Sequence, residues 1–137
     1  MSDPVIQDFE LPSTSDTTFK LADHRGQNVV VYFYPKDNTS GCTLEGQEFG
    51  NLYGDFAKAN TIVVGISRDS IKSHEGFKAE FAFPFELLAD TDEKVCELFG
   101  VMRLKNMYGK QVRGVERSTF VFDVNGKLVK SWRGLKA

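Results

Sequence analysis

Continuous apolar runs of strand length alternate along the chain with stretches in which apolar residues recur every three or four positions. The segments Val29–Tyr34 and Thr61–Ser67 are rich in β-branched residues and predict two fully buried strands. Phe85–Leu88 and Ser118–Asp123 predict two further strands. An Asn-Gly turn then leads into Leu128–Trp132, so the last two strands are expected to form a hairpin.

A small hairpin is also predicted near the beginning of the chain. Phe9–Leu11 and Thr18–Leu21 are brief segments in which polar and apolar residues alternate. The polar stretch Pro12–Thr17 between them has the composition of a loop. These two segments therefore predict a hairpin that precedes the main alternation of strands and helices.

Three helices are predicted between the strands. The first runs from about Cys42 to Lys58, the second is capped near Asp69 or Ser70, and the third begins at Asp90 or Thr91. The residues that mark them at helical spacing are Phe49, Leu52, Tyr53 and Phe56; Ile71, His74, Phe77, Lys78 and Phe81; and Val95, Leu98, Phe99 and Met102.

This order of elements predicts an α/β fold with a mixed central sheet, helices on both faces and an added N-terminal β-hairpin. The 137 residues, 41% of them hydrophobic, suit one domain spanning 1–137. A C-terminal helix is expected to be missing after Ala137, because the last hairpin would otherwise leave apolar surface uncovered.

The charge balance narrows the classes of partner. A formal net charge of -2 gives no electrostatic basis for binding nucleic acid or an anionic membrane. The apolar runs are shorter than the roughly 20 residues that a membrane span needs. Because the polar start Met1–Pro4 also lacks the pattern of a signal peptide, a cytoplasmic protein is expected.

The cysteine content excludes two kinds of site. Cys42 and Cys96 are the two cysteines, and neither belongs to a C-x-x-C pair, so no disulfide framework is predicted. His24 and His74 are the two histidines, and their spacing does not suggest a zinc site. We expect His24 in a polar turn and His74 on a charged helix, both without a chemical role.

Cys42 has the most informative surroundings. It follows a buried strand and lies at the start of a predicted helix, where open α/β sheets place ligands and unpaired backbone N–H groups stabilise a thiolate. Pro35 ends the strand, and the Thr39 hydroxyl is placed either to cap the helix or to face the same pocket as the sulfur. Lys36 and Asp37 are expected at the pocket rim. Alternatively, Cys42 is a small buried apolar residue in an ordinary turn.

Pro35, Thr39 and Cys42 together form the pattern P-x-x-x-T-x-x-C, within the longer stretch PKDNTSGCT. In this pattern, and over nearly its whole length, the chain resembles the peroxiredoxins, in particular the bacterioferritin-comigratory or Q-type subfamily. The resemblance implies a thioredoxin-like fold. It also implies reduction of hydrogen peroxide and organic hydroperoxides by a cysteine thiolate, with no metal or organic cofactor.

The resemblance further implies a role for each matching residue. Cys42 corresponds to the peroxidatic cysteine, Thr39 to the hydroxyl that orients the peroxide, and Pro35 to the residue that shields the thiolate. Arg117 corresponds to the arginine beside the thiolate, where a fixed cation favours the ionised sulfur; without the resemblance it would be taken for an arginine on a surface strand. Glu45 stands where a thioredoxin-type pair would have its second cysteine, which excludes that exchange cycle.

The chain departs from the two-cysteine members of the subfamily at both positions of their resolving cysteine, which are Gln47 and Lys78 here. We therefore expect a monomeric one-cysteine peroxidase that uses an external thiol such as thioredoxin or glutaredoxin with glutathione. Two alternatives stay open: a two-cysteine cycle in which Cys96 resolves the sulfenic acid after local unfolding, and a redox sensor or holdase-like binding module. Cys96 itself is expected to be a buried structural thiol.

Overall fold

The computed structural model describes residues 8–135, without the side chains of Lys105 and Met107. A single turn of 3-10 helix, Leu21–His24, joins the N-terminal hairpin to the rest of the chain. The other elements are β1 (Glu10–Ser13), β2 (Thr17–Lys20), β3 (Asn28–Phe33), α1 (Ser40–Lys58), β4 (Thr61–Ser67), α2 (Ile71–Phe81), β5 (Glu86–Ala89), α3 (Lys94–Leu98), β6 (Met102–Met107), β7 (Lys110–Val115), β8 (Ser118–Phe122) and β9 (Leu128–Trp132).

Seven of the strands form one mixed sheet in the order β2-β1-β5-β4-β3-β8-β9. Strands β3, β4 and β5 are parallel, so their carboxyl ends meet at one edge of the sheet. Strand β8 runs antiparallel to β3 and pairs Ser118 with Phe33. As a consequence, Arg117 at the entry to β8 lies beside the loop that leaves β3.

The sheet separates two hydrophobic cores. Alternate residues of β3 point to opposite faces, as the pleat of a strand requires. On one face they meet α1 and α2, in a cluster that includes Tyr32, Cys42 and Phe77. On the other face they meet α3 and the N-terminal hairpin, in a cluster that includes Cys96 and Phe99. The predicted mixed sheet with helices on both faces is confirmed.

Most strands lie within a residue or two of their predicted positions, and the N-terminal hairpin is present as predicted. The β6–β7 hairpin was not predicted, because most of its residues are polar and exposed and it forms a separate two-stranded sheet. Its turn is formed by Tyr108 and Gly109, which both have positive φ, and Tyr108 is fully exposed.

The third helix is shorter than the sequence predicts. It begins at Lys94 rather than at Asp90 or Thr91, and Leu98 is 40% exposed instead of buried. Asp90 still stabilises its beginning, because the carboxylate accepts hydrogen bonds from the backbone N–H groups of Val95 and Cys96. Asp90 therefore stabilises the start of α3, as the sequence predicts, but a turn separates it from the first residue of the helix.

Apolar side chains are exposed on α1 and on the last hairpin. Leu44, Leu52, Val129 and Trp132 are each between 44% and 49% exposed. Uncovered apolar surface is thus present on the last hairpin, as the sequence predicts, and the closing helix stays a prediction. The exposure of α1 was not predicted, because Leu52 was expected in the apolar stripe of that helix. None of the helices within residues 8–135 is long and apolar enough to cross a membrane.

Candidate active site

Cys42 lies in the first turn of α1, above the carboxyl end of β3. The Tyr34 N–H donates to the Ile66 carbonyl at 3.1 Å and so continues the pairing with β4, after which Pro35 leads the chain out of the sheet. The Thr43 N–H donates to the Thr39 carbonyl at 2.9 Å, which leaves the Cys42 N–H among the free donors of the helix start. Cys42 is 2% exposed, so its side chain is almost completely buried.

Arg117 contacts the sulfur directly. Its Nη2 donates to Cys42 Sγ at 3.2 Å, and its Nη1 donates to Glu45 Oε1 at 2.6 Å. Antiparallel pairing of β8 with β3 brings the arginine here, and the spacing of three residues between Cys42 and Glu45 puts both on one side of α1. One guanidinium group therefore bridges the thiol and the carboxylate, and its side chain is only 12% exposed.

Burial and neighbouring charges have opposite effects on the pKa values of Arg117 and Glu45. Burial lowers the pKa of Arg117, but the hydrogen bonds and negative charges of Cys42 and Glu45 outweigh it, so the pKa of the guanidinium is raised overall. Burial raises the pKa of Glu45, and the charge of Arg117 opposes that rise only in part. Arg117 is thus a permanent cation beside the sulfur, whereas the ionised form of Glu45 is disfavoured by its burial.

Thr39 precedes α1 without capping it through its side chain. Its Oγ1 donates to the Lys36 carbonyl at 2.9 Å, within the same loop. Of the two predicted positions for this hydroxyl, the helix cap is therefore wrong. The residue is exposed at the mouth of the loop, while Pro35 at the other end of the loop is half-buried.

Asp37 and His74 differ most from expectation. Asp37 is 5% exposed and His74 is completely buried, so the first does not lie at the pocket rim and the second does not lie on the solvated face of its helix. The Asp37 carboxylate accepts from Tyr34 Oη at 2.6 Å and from Ser73 Oγ at 2.7 Å, and it lies 2.7 Å from His74 Nδ1. The loop that carries the P-x-x-x-T-x-x-C pattern is thereby attached to α2.

Cys96 has a different environment on the opposite face of the sheet. It is completely buried among the side chains of the second core. Burial raises the pKa of its thiol, and the hydrogen bond and negative charge of Asp90 raise it further. The expectation of a buried thiol is confirmed.

Sequence reasoning missed three residues of this region. Glu45 could have been found, because residues three positions apart on a helix lie side by side. His74 belongs to an apolar stripe at helical spacing, which indicated burial more strongly than the charges around it. Asp37 carried no clear local signal, since apart from Tyr34 its partners come from α2 and from the segment that follows β4. Within residues 8–135, no cluster of His, Cys, Asp and Glu side chains is arranged to hold a metal ion.

The mixed sheet, the N-terminal hairpin and the thiol at the start of α1 define a thioredoxin-fold protein with one cysteine at its candidate site. Comparison with known proteins identifies which kind. The AhpC/TSA family model matches residues 3–131. Peroxiredoxin Bcp of Xanthomonas campestris pv. campestris is 46% identical over 99% of this chain and 89% of its own length. Peroxiredoxin Bcp of Bacillus subtilis is 43% identical, over 94% and 82%.

Solved structures of the same kind of protein resemble this chain. A mutant of PrxQ from Xylella fastidiosa superposes with a TM-score of 0.92 at 40% identity, covering 99% of this chain and 87% of that one. The bacterioferritin comigratory protein of Xanthomonas campestris gives a TM-score of 0.89 at 47% identity, covering 93% and 82%. The chain belongs to the AhpC/TSA family, as a peroxiredoxin of the Bcp and PrxQ type. The enzyme is a thiol peroxidase.

Proposed function

We propose that this peroxidase works by a one-cysteine cycle on Cys42. The thiolate attacks one oxygen of a hydroperoxide, the O–O bond breaks, and water or an alcohol leaves while the sulfur is oxidised to sulfenic acid. An external thiol then forms a mixed disulfide with the sulfur and releases water. A second thiol attacks that disulfide and returns Cys42 to its thiolate.

Three residues assist Cys42 in the first step. Arg117 stabilises the thiolate and the charge that develops on the peroxide, since its Nη2 already contacts the sulfur at 3.2 Å. Thr39 orients the peroxide through its hydroxyl, which lies at the exposed mouth of the loop. Pro35, half-buried and without an N–H donor, shields the thiolate from solvent.

The position of Cys96 carries the proposal that the cycle uses one cysteine. A disulfide needs α-carbons within about 7 Å of each other. Cys42 and Cys96 lie in separate cores on opposite faces of the central sheet. Fraying of the first turn of α1 would move Cys42 outward from its own face, and it would bring the two sulfurs no nearer. Resolution by Cys96 would require Cys96 to leave its own core as well.

The reductant and the substrate follow from access to the sulfur. Because Cys42 is 2% exposed, a small peroxide reaches it more easily than a protein thiol, and the loop has to open for the reducing step. We propose thioredoxin or glutaredoxin with glutathione as the reductant. The solved relative from Xanthomonas campestris is described in terms of alkyl peroxide reduction, which supports organic hydroperoxides as substrates beside hydrogen peroxide.

A turnover assay tests this cycle. Peroxide consumption is measured for the wild type, Cys42→Ser and Cys96→Ser with each reductant at saturation. The cycle predicts no turnover by Cys42→Ser and most of the wild-type turnover by Cys96→Ser. Loss of turnover in Cys96→Ser would favour the two-cysteine cycle, and oxidation of Cys42 without turnover under any thiol would favour a sensor.

We also propose that the enzyme acts as a monomer in the cytoplasm. Both cysteines are free thiols, as is usual for proteins of a reducing compartment. Sedimentation equilibrium of the reduced and the peroxide-treated protein tests the monomer, and a dimer mass in the reduced state would reject it.

A further inference from the structure

His74 and Asp37 form a buried pair behind the loop that carries Cys42. His74 Nε2 lies 2.9 Å from the Leu88 carbonyl and therefore carries a proton, because a carbonyl only accepts. His74 Nδ1 lies 2.7 Å from Asp37 Oδ2, and a second proton has to occupy that contact, since two lone pairs at this distance would repel. The pair is thus joined by one shared proton between His74 Nδ1 and Asp37 Oδ2, at the beginning of α2.

The same aspartate fixes the peptide group between Lys36 and Asp37. Its backbone N–H donates to Asp69 Oδ2 at 2.9 Å, and Asp69 is held in turn by Ser67 Oγ at 2.6 Å. The carbonyl of this planar peptide group accepts the hydroxyl of Thr39 at 2.9 Å. The Asp37 N–H and the Asp37 carboxylate are both held by hydrogen bonds, and together they fix the plane of this peptide group. The orientation of the Thr39 hydroxyl therefore depends on that plane.

We propose that His74 is a positioning residue for the peroxide step: by holding Asp37, it fixes the peptide plane that orients the Thr39 hydroxyl. This inference rests on the role proposed above for Thr39. His74 touches neither Cys42 nor the peroxide, so its effect passes entirely through the loop. The sulfur itself is contacted by Arg117, whose Nη2 lies 3.2 Å from Cys42 Sγ.

A double-mutant cycle between His74 and Thr39 tests the inference. His74→Phe keeps the ring and removes both donors, and Thr39→Val keeps the shape and removes the hydroxyl. We expect each single variant to slow the second-order oxidation of Cys42 by hydrogen peroxide by about 10- to 100-fold, as misplaced groups in an active site do. The double variant should be no more than about twofold slower than Thr39→Val, because both changes disable one interaction.

Three further variants separate positioning from general damage. His74→Asn keeps a donor near the place of Nδ1 and should recover most of the rate. Ser73→Ala removes one donor to Asp37 with little loss of packing and should slow oxidation by about threefold. In the Thr39→Val background the same change should have no effect on the rate. Val95→Ala destabilises the opposite core without touching this region and should leave the oxidation rate unchanged.

Alkylation of Cys42 by iodoacetamide gives the second readout, since it depends on the thiolate and not on Thr39. It should proceed in His74→Phe at no less than the wild-type rate. If the double variant lost the product of the two single losses, the inference about His74 would be wrong. It would also be wrong if His74→Phe were oxidised at the wild-type rate while Thr39→Val was slow. Either result would leave the proposed role of Thr39 intact. Oxidation of Thr39→Val at the wild-type rate would contradict both the inference and the proposed role of Thr39. The role of Cys42 is tested separately by the turnover assay.

Discussion

The two cysteines occupy comparable positions on opposite faces of one sheet. Each is almost or completely buried, and each lies in the first turn of a helix that follows a parallel strand. Their partners differ in charge: the Cys42 sulfur accepts a hydrogen bond from Arg117, whereas the Cys96 thiol faces the carboxylate of Asp90. A cation favours a thiolate and a carboxylate disfavours it.

Burial and a position at a helix start do not distinguish the two cysteines, because both have these features. The side chain hydrogen-bonded to each sulfur differs in charge, a cation at Cys42 and a carboxylate at Cys96. The cation reaches Cys42 because β8 is antiparallel to β3 and delivers Arg117 to that edge of the sheet. Topology therefore places the cation beside Cys42, the cysteine proposed to react with peroxide. The following predictions change the surroundings of one cysteine at a time.

The largest effect is expected from Arg117→Met, which removes the cation beside Cys42. The oxidation rate constant should fall by about 100-fold, the size of effect seen when a preorganised donor is lost from an active site. Alkylation by iodoacetamide at neutral pH should slow as well, because the cation that contacts the attacking sulfur is lost. Stopped-flow oxidation and alkylation kinetics measure the two rates.

Arg113→Met is the matched control for that change. Arg113 pairs with Glu93 and Glu97 at the surface, away from Cys42. It should leave both rates at the wild-type level. Equal slowing by the two variants would mean that Arg117 acts only through the overall charge of the protein.

An alkaline loss of stability is expected from Cys96. Its pKa is raised in the folded state, so the stability that this thiol contributes is complete below the ordinary value of 9.0 and is lost as the pH rises above it. The loss should reach about 1.4 kcal/mol per pH unit, because the unfolded chain releases one proton that the folded chain keeps.

Urea unfolding of the wild type and of Cys96→Ala, at a series of pH values from neutral to alkaline, measures this slope. Tyr32 and Tyr34, whose pKa values burial also raises, affect both proteins alike and cancel in the difference. The alanine variant should lose less free energy of unfolding per pH unit above 9.0. Parallel curves would show that Cys96 ionises normally in the folded protein.

The smallest effect is expected from Glu45→Gln, which keeps an acceptor for Arg117 and removes the negative charge. Its oxidation rate should stay within about fivefold of the wild type, the range of one net hydrogen bond of about 1 kcal/mol. Glu45→Ala removes the acceptor and should slow oxidation by about tenfold, since a hydrogen bond between charged groups contributes about 1.5–3 kcal/mol. Equal rates for the two variants would show that Glu45 does not hold Arg117 in place.

The sequence predicted those parts of this comparison that local patterns encode. The Val29–Tyr34 strand, the helix after Cys42 and the hairpin at Asn125–Gly126 follow from periodicity and turn chemistry. Arg117 was identified through the family resemblance, and no pattern around it predicts that it contacts the sulfur. That contact follows from the pairing of β8 with β3, which is a property of the assembled sheet.

The errors have the same physical origin. Asp37 is a charged residue whose burial depends on long-range partners such as His74, so its own position in the sequence does not indicate burial. His74 does lie in an apolar stripe, but the charges around it were given more weight. Leu98 was placed in a core because Val95, Leu98, Phe99 and Met102 have helical spacing, but the helix ends at Leu98 and does not carry that stripe. Long-range pairing between polar groups and the exact start of a short helix are both decided by tertiary contacts.

One measurement tests the central contrast most directly. The reduced protein is mixed with one equivalent of hydrogen peroxide, quenched within seconds with a sulfenic acid trap, and mapped by peptide mass spectrometry. The account predicts the trap on Cys42, an unmodified Cys96 and almost no linkage between them. A dominant Cys42–Cys96 disulfide would contradict it, because the two thiols lie in separate cores on opposite faces of the sheet.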